Sequence, residues 1–359
     1  MSPSRLEVAA LAERVRDAAR HYGPRKLANA LGAELGYRLR TRDPIGDPTA
    51  LIVDLTTHCQ LRCPLCPTGL AREGRARQHI PVEAFRRLVD RYARTSLRLF
   101  LTDWGEPLLH PQAAELIAYA EARGLWTAIS TNGLFLPDEL AAGLVAARLS
   151  HATFSIDGAT QESYARYRVR GELDTVLANL TRLVAARNHA GSRRPHVTWQ
   201  FLVFRHNQHE VDAARAKARE LGVAFDARGA GLGVHGETPH RAPSSPEALA
   251  WLVDDPRWPE SHAYFDASRP YLEDRHCWWL WKALVVSPNG SAPPCCCTFE
   301  ERDDVGNVFT DDPERVRRSP RARRMRAVFR REALPPGEPV VCESCDVFRR
   351  AEEHAHPPA

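Results

Sequence analysis

Three cysteines stand within one short stretch, Cys59-Gln60-Leu61-Arg62-Cys63-Pro64-Leu65-Cys66. Thiolates are soft ligands that select iron–sulfur clusters or zinc over magnesium and calcium. At this spacing one tight loop wraps a single face of a small cluster and leaves a fourth position unfilled. A site-differentiated 4Fe-4S cluster requires that opening, because a cluster with four protein thiolates has no iron left to bind another molecule. A zinc ion completed by His58 is the alternative use of the same loop.

The chain has nine cysteines, an odd number, and none lies between Cys66 and Cys277. Clustering of this kind is a ligand distribution rather than a disulfide framework. Downstream, Cys277, Cys295, Cys342 and Cys345 are enough to close around one further cluster, with a structural zinc ribbon as the alternative. Cys296 and Cys297 fall outside that set. They are read as further ligands, packing groups, or a reactive thiol that gives up a hydrogen atom.

The elements that must position these groups are legible in the apolar pattern. From residue 50, short β-rich runs alternate with stretches of helical period: LIVDLT, then helix 82–94; LRLFLT, then 111–123; TAIS, then 137–147; ATFSID, then 172–189; VTWQFLV, then 208–221; and VAFDA. Such alternation implies parallel strands with helices outside, as an open doubly wound sheet or a barrel. In either form, chemistry collects at the C-terminal ends of the strands. The stretch 1–48 reads as a helical extension, 49–235 as the core, 236–276 as a Pro- and Ser-rich linker, and 277–359 as a cysteine-rich domain. Within the last, LVVSPNGSAPP reads as a hairpin with a Pro-Asn-Gly turn.

Polar motifs stand at the expected strand ends: Thr102-Asp103-Trp104-Gly105-Glu106-Pro107 after the second, Ser130-Thr131-Asn132-Gly133 after the third, and Ser155-Ile156-Asp157-Gly158 after the fourth. As bare turns, Asn-Gly and Asp-Gly need no function. Arg168 follows the last motif, with Arg170 as its rival, and a guanidinium forks well onto a carboxylate.

Together these residues resemble the radical S-adenosylmethionine (SAM) superfamily, whose hallmark is a CxxxCxxC loop after the first strand of a partial (β/α)6 TIM-like barrel. The resemblance covers about 50 to 230 and implies that Cys59, Cys63 and Cys66 hold the SAM-binding 4Fe-4S cluster. It implies SAM contacts from Asp103, Trp104, Gly105, Glu106, Ser130, Asn132, Ser155, Asp157 and Arg168; Trp104 replaces a glycine of the family motif, and Leu65 stands where an aromatic residue is frequent. Residues 277 to 345, with Cys277, Gly290, Cys295 and the pair Cys342/Cys345, resemble the SPASM and twitch domains, which implies one auxiliary 4Fe-4S cluster. The chemistry implied is reductive cleavage of SAM to a 5'-deoxyadenosyl radical that abstracts hydrogen from unactivated carbon, with an electron donor of the flavodoxin or ferredoxin type.

With 49 basic and 45 acidic residues, the balance of +4 gives no reason to expect nucleic acid or a membrane surface as partner. Near the C-terminal end, RVRRSPRARRMRAVFRRE reads as a solvated helix rather than a nucleic-acid patch, and Trp278, Trp279 and Trp281 read as core and shielding. No apolar run approaches a membrane span and the first residues lack a signal-peptide pattern, so the expectation is cytoplasmic. The leading functional reading is net oxidation of a polar small molecule such as a sugar, nucleoside or aminocyclitol, the auxiliary cluster accepting the second electron. A radical epimerase with a cysteine hydrogen donor and a ribosomal-peptide modifying enzyme are the enzymatic alternatives, the latter disfavoured because the helical extension is short for a leader-binding domain. The non-enzymatic alternative is a metal-binding or electron-carrying protein.

Overall fold

The computed structural model describes residues 5–71, 74–229, 250–251, 253, 258, 277–330 and 332–345, with 5–21 described by backbone course alone. The 236–276 excursion and the tail beyond 345 that sequence reasoning assigned therefore lie outside the described residues, four positions of the excursion excepted.

Helix α1 (Arg5–Arg38) leads in, kinked where Gly23 leaves helical geometry before Pro24. Strands β1 (Ala50–Val53), β2 (Arg98–Phe100), β3 (Trp126–Thr131), β4 (His151–Ser155), β5 (His196–Val203) and β6 (Ala224–Gly229) follow. Between them run α2 (Val82–Tyr92), α3 (Ala113–Ala122), α4 (Asp138–Ala146), the pair α5 (Gln161–Tyr167) and α6 (Leu173–His189), and α7 (Val211–Glu220). Each of α2, α3, α4, α6 and α7 falls within the stretch expected from the sequence, and α5, a short helix in the fourth loop, is new. Helix α2 shows why they form: Phe85, Leu88, Val89 and Tyr92 recur at helical spacing and are buried on one face.

All pairings are parallel, in the order β6-β5-β4-β3-β2-β1-β7. Alternate residues of the strands, among them Leu51, Leu99, Ile129, Phe154 and Phe201, pack outward against the helices in one large core. Burying each such side chain contributes roughly 1.5–3 kcal/mol. The opposite residues line the inner face, apolar at Ile52, Phe100 and Val285 and polar at Ser130 and Ser155.

The seventh strand corrects one expectation. Beyond α8 (Trp279–Lys282), β7 (Ala283–Val286) pairs parallel with β1, in register Leu51↔Leu284 and Val53↔Val286, instead of forming a two-stranded hairpin. The Pro-Asn-Gly turn does close, with Gly290 N–H on the Ser287 carbonyl at 2.8 Å and Ser287 N–H on the Ser291 carbonyl at 2.9 Å, but beyond it the chain bonds to 305–308, with a bridge from Ser291 to Asn307, and not along β7. An apolar, β-branched strand buried on both sides fits the open edge of a parallel sheet better than a solvated hairpin. Gly290 has φ +86, and a Cβ there would stand 2.4 Å from the Phe309 ring.

The arginine-rich stretch is a second correction. It forms α9 (Pro313–Arg317) and α10 (Pro320–Arg330), and several of its arginines are satisfied internally while Arg315 and Arg318 stay exposed. Arg326 is 2% exposed and donates to the carbonyls of Arg42, Leu280 and Arg317. Arg323 forks onto Asp43 and Arg324 pairs with Glu343. The helix thus clamps the end of α1 and the segment carrying Cys342. Trp281, fully buried, donates its indole N–H to the Thr41 carbonyl at 2.9 Å, in keeping with a core role.

Candidate functional site

The Cys59–Cys66 loop leaves β1 and folds over the C-terminal strand ends. Its apolar members Leu61 and Leu65 are buried with Cys63 against Tyr167 and Phe204. Leu65 is therefore a packing residue of the loop. The Cys66 N–H donates to the Cys63 carbonyl at 3.2 Å, and the Arg62 N–H to the Val169 carbonyl at 3.1 Å, tying the loop to the segment after α5.

Polar groups expected at the site arrive beside these thiols. Asn132, at the end of β3, directs its amide N–H at Cys59 Sγ at 3.7 Å and exchanges hydrogen bonds with Gln60 at 3.1 and 3.3 Å. Arg168 binds Asp157 through Nε at 2.6 Å, with Nη1 4.0 Å from Cys63 Sγ. Asp157 is fully buried at the end of β4 and also accepts the Leu202 N–H at 2.7 Å. Arg170 is exposed, so of the two rivals the structure brings Arg168 to the loop. The hydroxyls of Ser130 and Ser155 meet at 3.3 Å across neighbouring strands.

Glu106 is buried and saturated: Oε1 accepts from Thr131 Oγ1 at 2.7 Å and the Leu108 N–H at 3.1 Å, and Oε2 from the Asn132 N–H at 2.7 Å. Its carboxylate therefore shapes the Asn132 turn. Gly105 must be glycine, since a Cβ would lie 1.7 Å from the Thr56 carbonyl oxygen. The Trp104 indole turns away from the cysteine loop toward the C-terminal domain, with its N–H 3.4 Å from the Thr298 carbonyl.

Sequence reasoning missed Asp54, whose carboxylate receives the N–H groups of Trp104 at 3.4 Å and Gly105 at 3.3 Å. The available signal was one acidic residue inside the apolar run LIVDLT; burial there raises its carboxyl to about 7. It also missed Arg75, which joins the two halves of the molecule through Ser291, Phe299 and Asp304. Asp103 lies among Cys296, Asp54 and Cys295, and burial pushes its carboxyl well above the ordinary range.

Of the second cysteine group, Cys342 and Cys277 pack in one apolar cluster with Leu280 and Trp281, and burial pushes both thiols well above the ordinary range, with Cys295 and Cys345 adding to the shift. Cys296 and Cys297 stand 3.9 Å apart, sulfur to sulfur, in a packed group with Cys295, Trp104 and Trp279.

The donor sets fit the groups expected of them. Burial pushes the Cys59 thiol up to about 12 and Cys63 up to about 11, so a cation is needed to hold these sulfurs as thiolates. The Asn132 and Arg168 N–H groups are placed to stabilise ligated sulfur. The His58 ring packs on His79, centroids 4.9 Å apart. Among the described residues no three His, Cys, Asp or Glu side chains are set at the spacing of a single metal ion.

Comparison with known proteins agrees with this geometry. Residues 53–215 match the radical SAM superfamily and 277–346 an iron–sulfur cluster-binding domain of the SPASM type. The chain is 26% identical to the PqqA peptide cyclase of Gluconobacter oxydans over 69% of its own length and 70% of the relative's. With the PqqA peptide cyclase of Ruegeria pomeroyi it shares 28% identity over 49% of its length but 45% of the relative's, so it spans less than half of that protein. An AdoMet-dependent heme synthase of Methanosarcina barkeri is 26% identical over 49% of this chain and 48% of that one. In fold it is similar to Streptococcus suis SuiB bound to SAM, with TM-score 0.56 at 14% identity, covering 94% of this chain and 76% of that one. Native anSMEcpe with bound AdoMet is similar at TM-score 0.54 and 13% identity, over 84% and 88% of the two chains. No helix among the described residues is long and apolar enough to cross a membrane. With a cysteine loop over the strand ends of a parallel sheet and a second cysteine group behind it, the chain belongs to the radical SAM superfamily and carries a C-terminal SPASM iron–sulfur domain.

Proposed function

We propose that this enzyme modifies a peptide by radical chemistry begun with hydrogen abstraction from carbon. One observation supports the radical part most directly: Cys59, Cys63, Asn132 and the Arg168–Asp157 pair converge at one end of the sheet. The peptide part rests on the likeness to a PqqA peptide cyclase that runs through 69% of the chain.

Cys59, Cys63 and Cys66 would hold the SAM-binding 4Fe-4S cluster, and Cys277, Cys295, Cys342 and Cys345 the auxiliary one. When bound, the first cluster and SAM supply one-electron reductive cleavage of a carbon–sulfur bond and, through it, hydrogen abstraction. The chain's own residues bind and orient. Arg168, its Nε fixed by Asp157 and its Nη1 turned toward Cys63 Sγ, offers its Nη2 side to a carboxylate such as that of methionine. Asn132 is held by Gln60 and by the Glu106-braced turn, and Ser130 and Ser155 offer paired hydroxyls for a ribose. Trp104, Gly105 and Asp103 form the wall on the second strand's side, with Asp54 holding its backbone. A small acidic electron carrier of the flavodoxin or ferredoxin type would serve as reductant.

A second reading, oxidation of a polar small molecule, is favoured by the number of cysteines in the C-terminal domain: four thiolate ligands would leave an auxiliary cluster no open position, which suits an electron acceptor. Cys296 or Cys297 as hydrogen donor would instead fit epimerisation.

Anaerobically reconstituted, dithionite-reduced enzyme is expected to convert SAM to 5'-deoxyadenosine. Incubation with a deuterated candidate precursor peptide is expected to move deuterium into that product. No cleavage at all would remove the radical reading, whereas transfer from a deuterated carbinol substrate only would replace the peptide with a small molecule.

A further inference from the structure

Trp104 occupies a position where the family motif has glycine, and its two halves serve different parts of the molecule. The backbone belongs to the SAM-side turn: its N–H lies 3.4 Å from Asp54 Oδ2, next to the Gly105 N–H on the same carboxylate. The side chain leaves that turn and enters the C-terminal domain. There the indole N–H reaches the Thr298 carbonyl at 3.4 Å, and the ring meets Phe299 edge-on with centroids 5.9 Å apart. It packs with Cys295, Cys297 and Trp279. Thr298 is fully buried and its Oγ1 donates in turn to the Cys295 carbonyl at 2.9 Å. An unbroken chain of contacts therefore runs from the end of β1 through Asp54, Trp104 and Thr298 to a ligand of the auxiliary cluster.

We infer that Trp104 is a positioning residue that locks the Cys295–Asp304 segment, and with it the auxiliary-cluster end of the SPASM domain, onto the SAM-side turn at one fixed separation. This rests on the cofactor assignment above and goes beyond it, because it names what holds the two centres in register. The physical reason is that electron exchange and substrate placement between two centres depend on a separation that a rigid wall can set and a mobile loop cannot. Indole suits the role: it donates one hydrogen bond, accepts none, and brings a large rigid face that stays ordered at low entropic cost. A glycine at this position would serve the turn but give up the indole's contacts with Thr298, Phe299 and the Cys295–Cys297 group.

The test uses reconstituted holoenzyme and two variants, Trp104→Gly and Trp104→Phe, read by hydrogen exchange and by EPR. Loss of the indole bond and ring contacts is expected to speed amide exchange in the 295–304 segment by about tenfold or more in Trp104→Gly. Trp104→Phe, which keeps a ring against Phe299, is expected to fall between it and wild type. Amides of β3 and β4 should keep wild-type exchange in both, which separates unlocking from general unfolding. The auxiliary cluster's EPR spectrum and midpoint potential should shift in Trp104→Gly. Unchanged exchange and unchanged potential in both variants would overturn the inference, as would acceleration spread evenly over the whole chain. If Trp104→Gly does not fold, Trp104→Phe answers alone, since an interlock requires its 295–304 exchange to exceed wild type. Failure of the wild-type enzyme to cleave SAM would strike the functional reading while leaving these exchange results standing.

Discussion

Arg75 and Asp304, from the loop beyond the first cysteine motif and the segment beyond the triple cysteine, meet in a two-pronged ion pair, with Nη1 and Nη2 on the carboxylate oxygens at 2.9 and 2.7 Å. Their side chains are 6% and 9% exposed, and Arg75 also donates to the Phe299 carbonyl at 3.0 Å. A buried pair broken on one side strands a charge, so Arg75→Ala should cost about 3–5 kcal/mol. Asp304→Ala should cost nearly as much and the double variant much less than the sum. Denaturant unfolding of the four proteins in a double-mutant cycle measures this, and additive losses would mean that the pair is not coupled.

The two cysteine groups should separate by iron content. Cys66→Ala should lose about four irons per chain, along with SAM cleavage. Cys342→Ala should lose the other four or so and keep some cleavage uncoupled from turnover. Iron and sulfide analysis with EPR of each variant checks the division, and loss of all iron from either single change would contradict it.

For Arg168 the expectation is a loss of SAM affinity. Arg168→Lys keeps the charge but cannot both hold Asp157 and fork onto a carboxylate, and should weaken SAM binding by roughly ten- to a hundredfold. Exposed Arg170→Ala should leave it unchanged. Equilibrium binding by filtration or calorimetry distinguishes the two positions.

Asp54 makes stability depend on pH in a definite direction. Burial raises its folded-state value to about 7 from an ordinary 3.8. Between those values the folded chain binds the proton that the unfolded chain has released, so this group favours the folded state increasingly as pH falls from 7 toward 4. Above 7 the buried charge is a standing penalty. Asp54→Asn removes the dependence, so the stability difference between variant and wild type should shift steadily from about pH 8 to about pH 5. Urea unfolding of the apoprotein at a series of pH values checks it, and a pH-independent difference would exclude the assignment.

Gly105→Ala should be far more damaging than an ordinary surface change. The new methyl group would press on the Thr56 carbonyl at 1.7 Å, and backbone cannot swing aside as a side chain can. Loss of SAM binding together with a lowered melting temperature is the expected outcome.

Much of this protein is written in local pattern. The short apolar, β-rich runs such as LIVDLT or VTWQFLV and the helical period between them are properties of neighbouring residues, so six strands and their helices were legible in the sequence. The cysteine loop was legible for the same reason: three ligands within eight residues need no distant partner to be recognised. Strand ends marked where polar motifs had to gather, which located Asn132, Asp157 and Arg168.

What remained depends on contacts between residues far apart in the chain, where local pattern carries no information. ALVV has the composition of a hairpin arm and of a parallel edge strand alike, and only the open side of β1 decided between them. The arginines of α10 look solvated until Asp43, Glu343 and the Arg42 carbonyl come to meet them. Trp104 reads as part of a cofactor motif from its neighbours, and its side chain was assigned only when Thr298 and Phe299 were brought against it. The amino-acid sequence alone determined which groups could hold sulfur-ligated iron and on which kind of sheet. Tertiary structure decided which side chains face the reacting centre and which join the two cysteine groups, because direction and burial are set by packing across the whole fold.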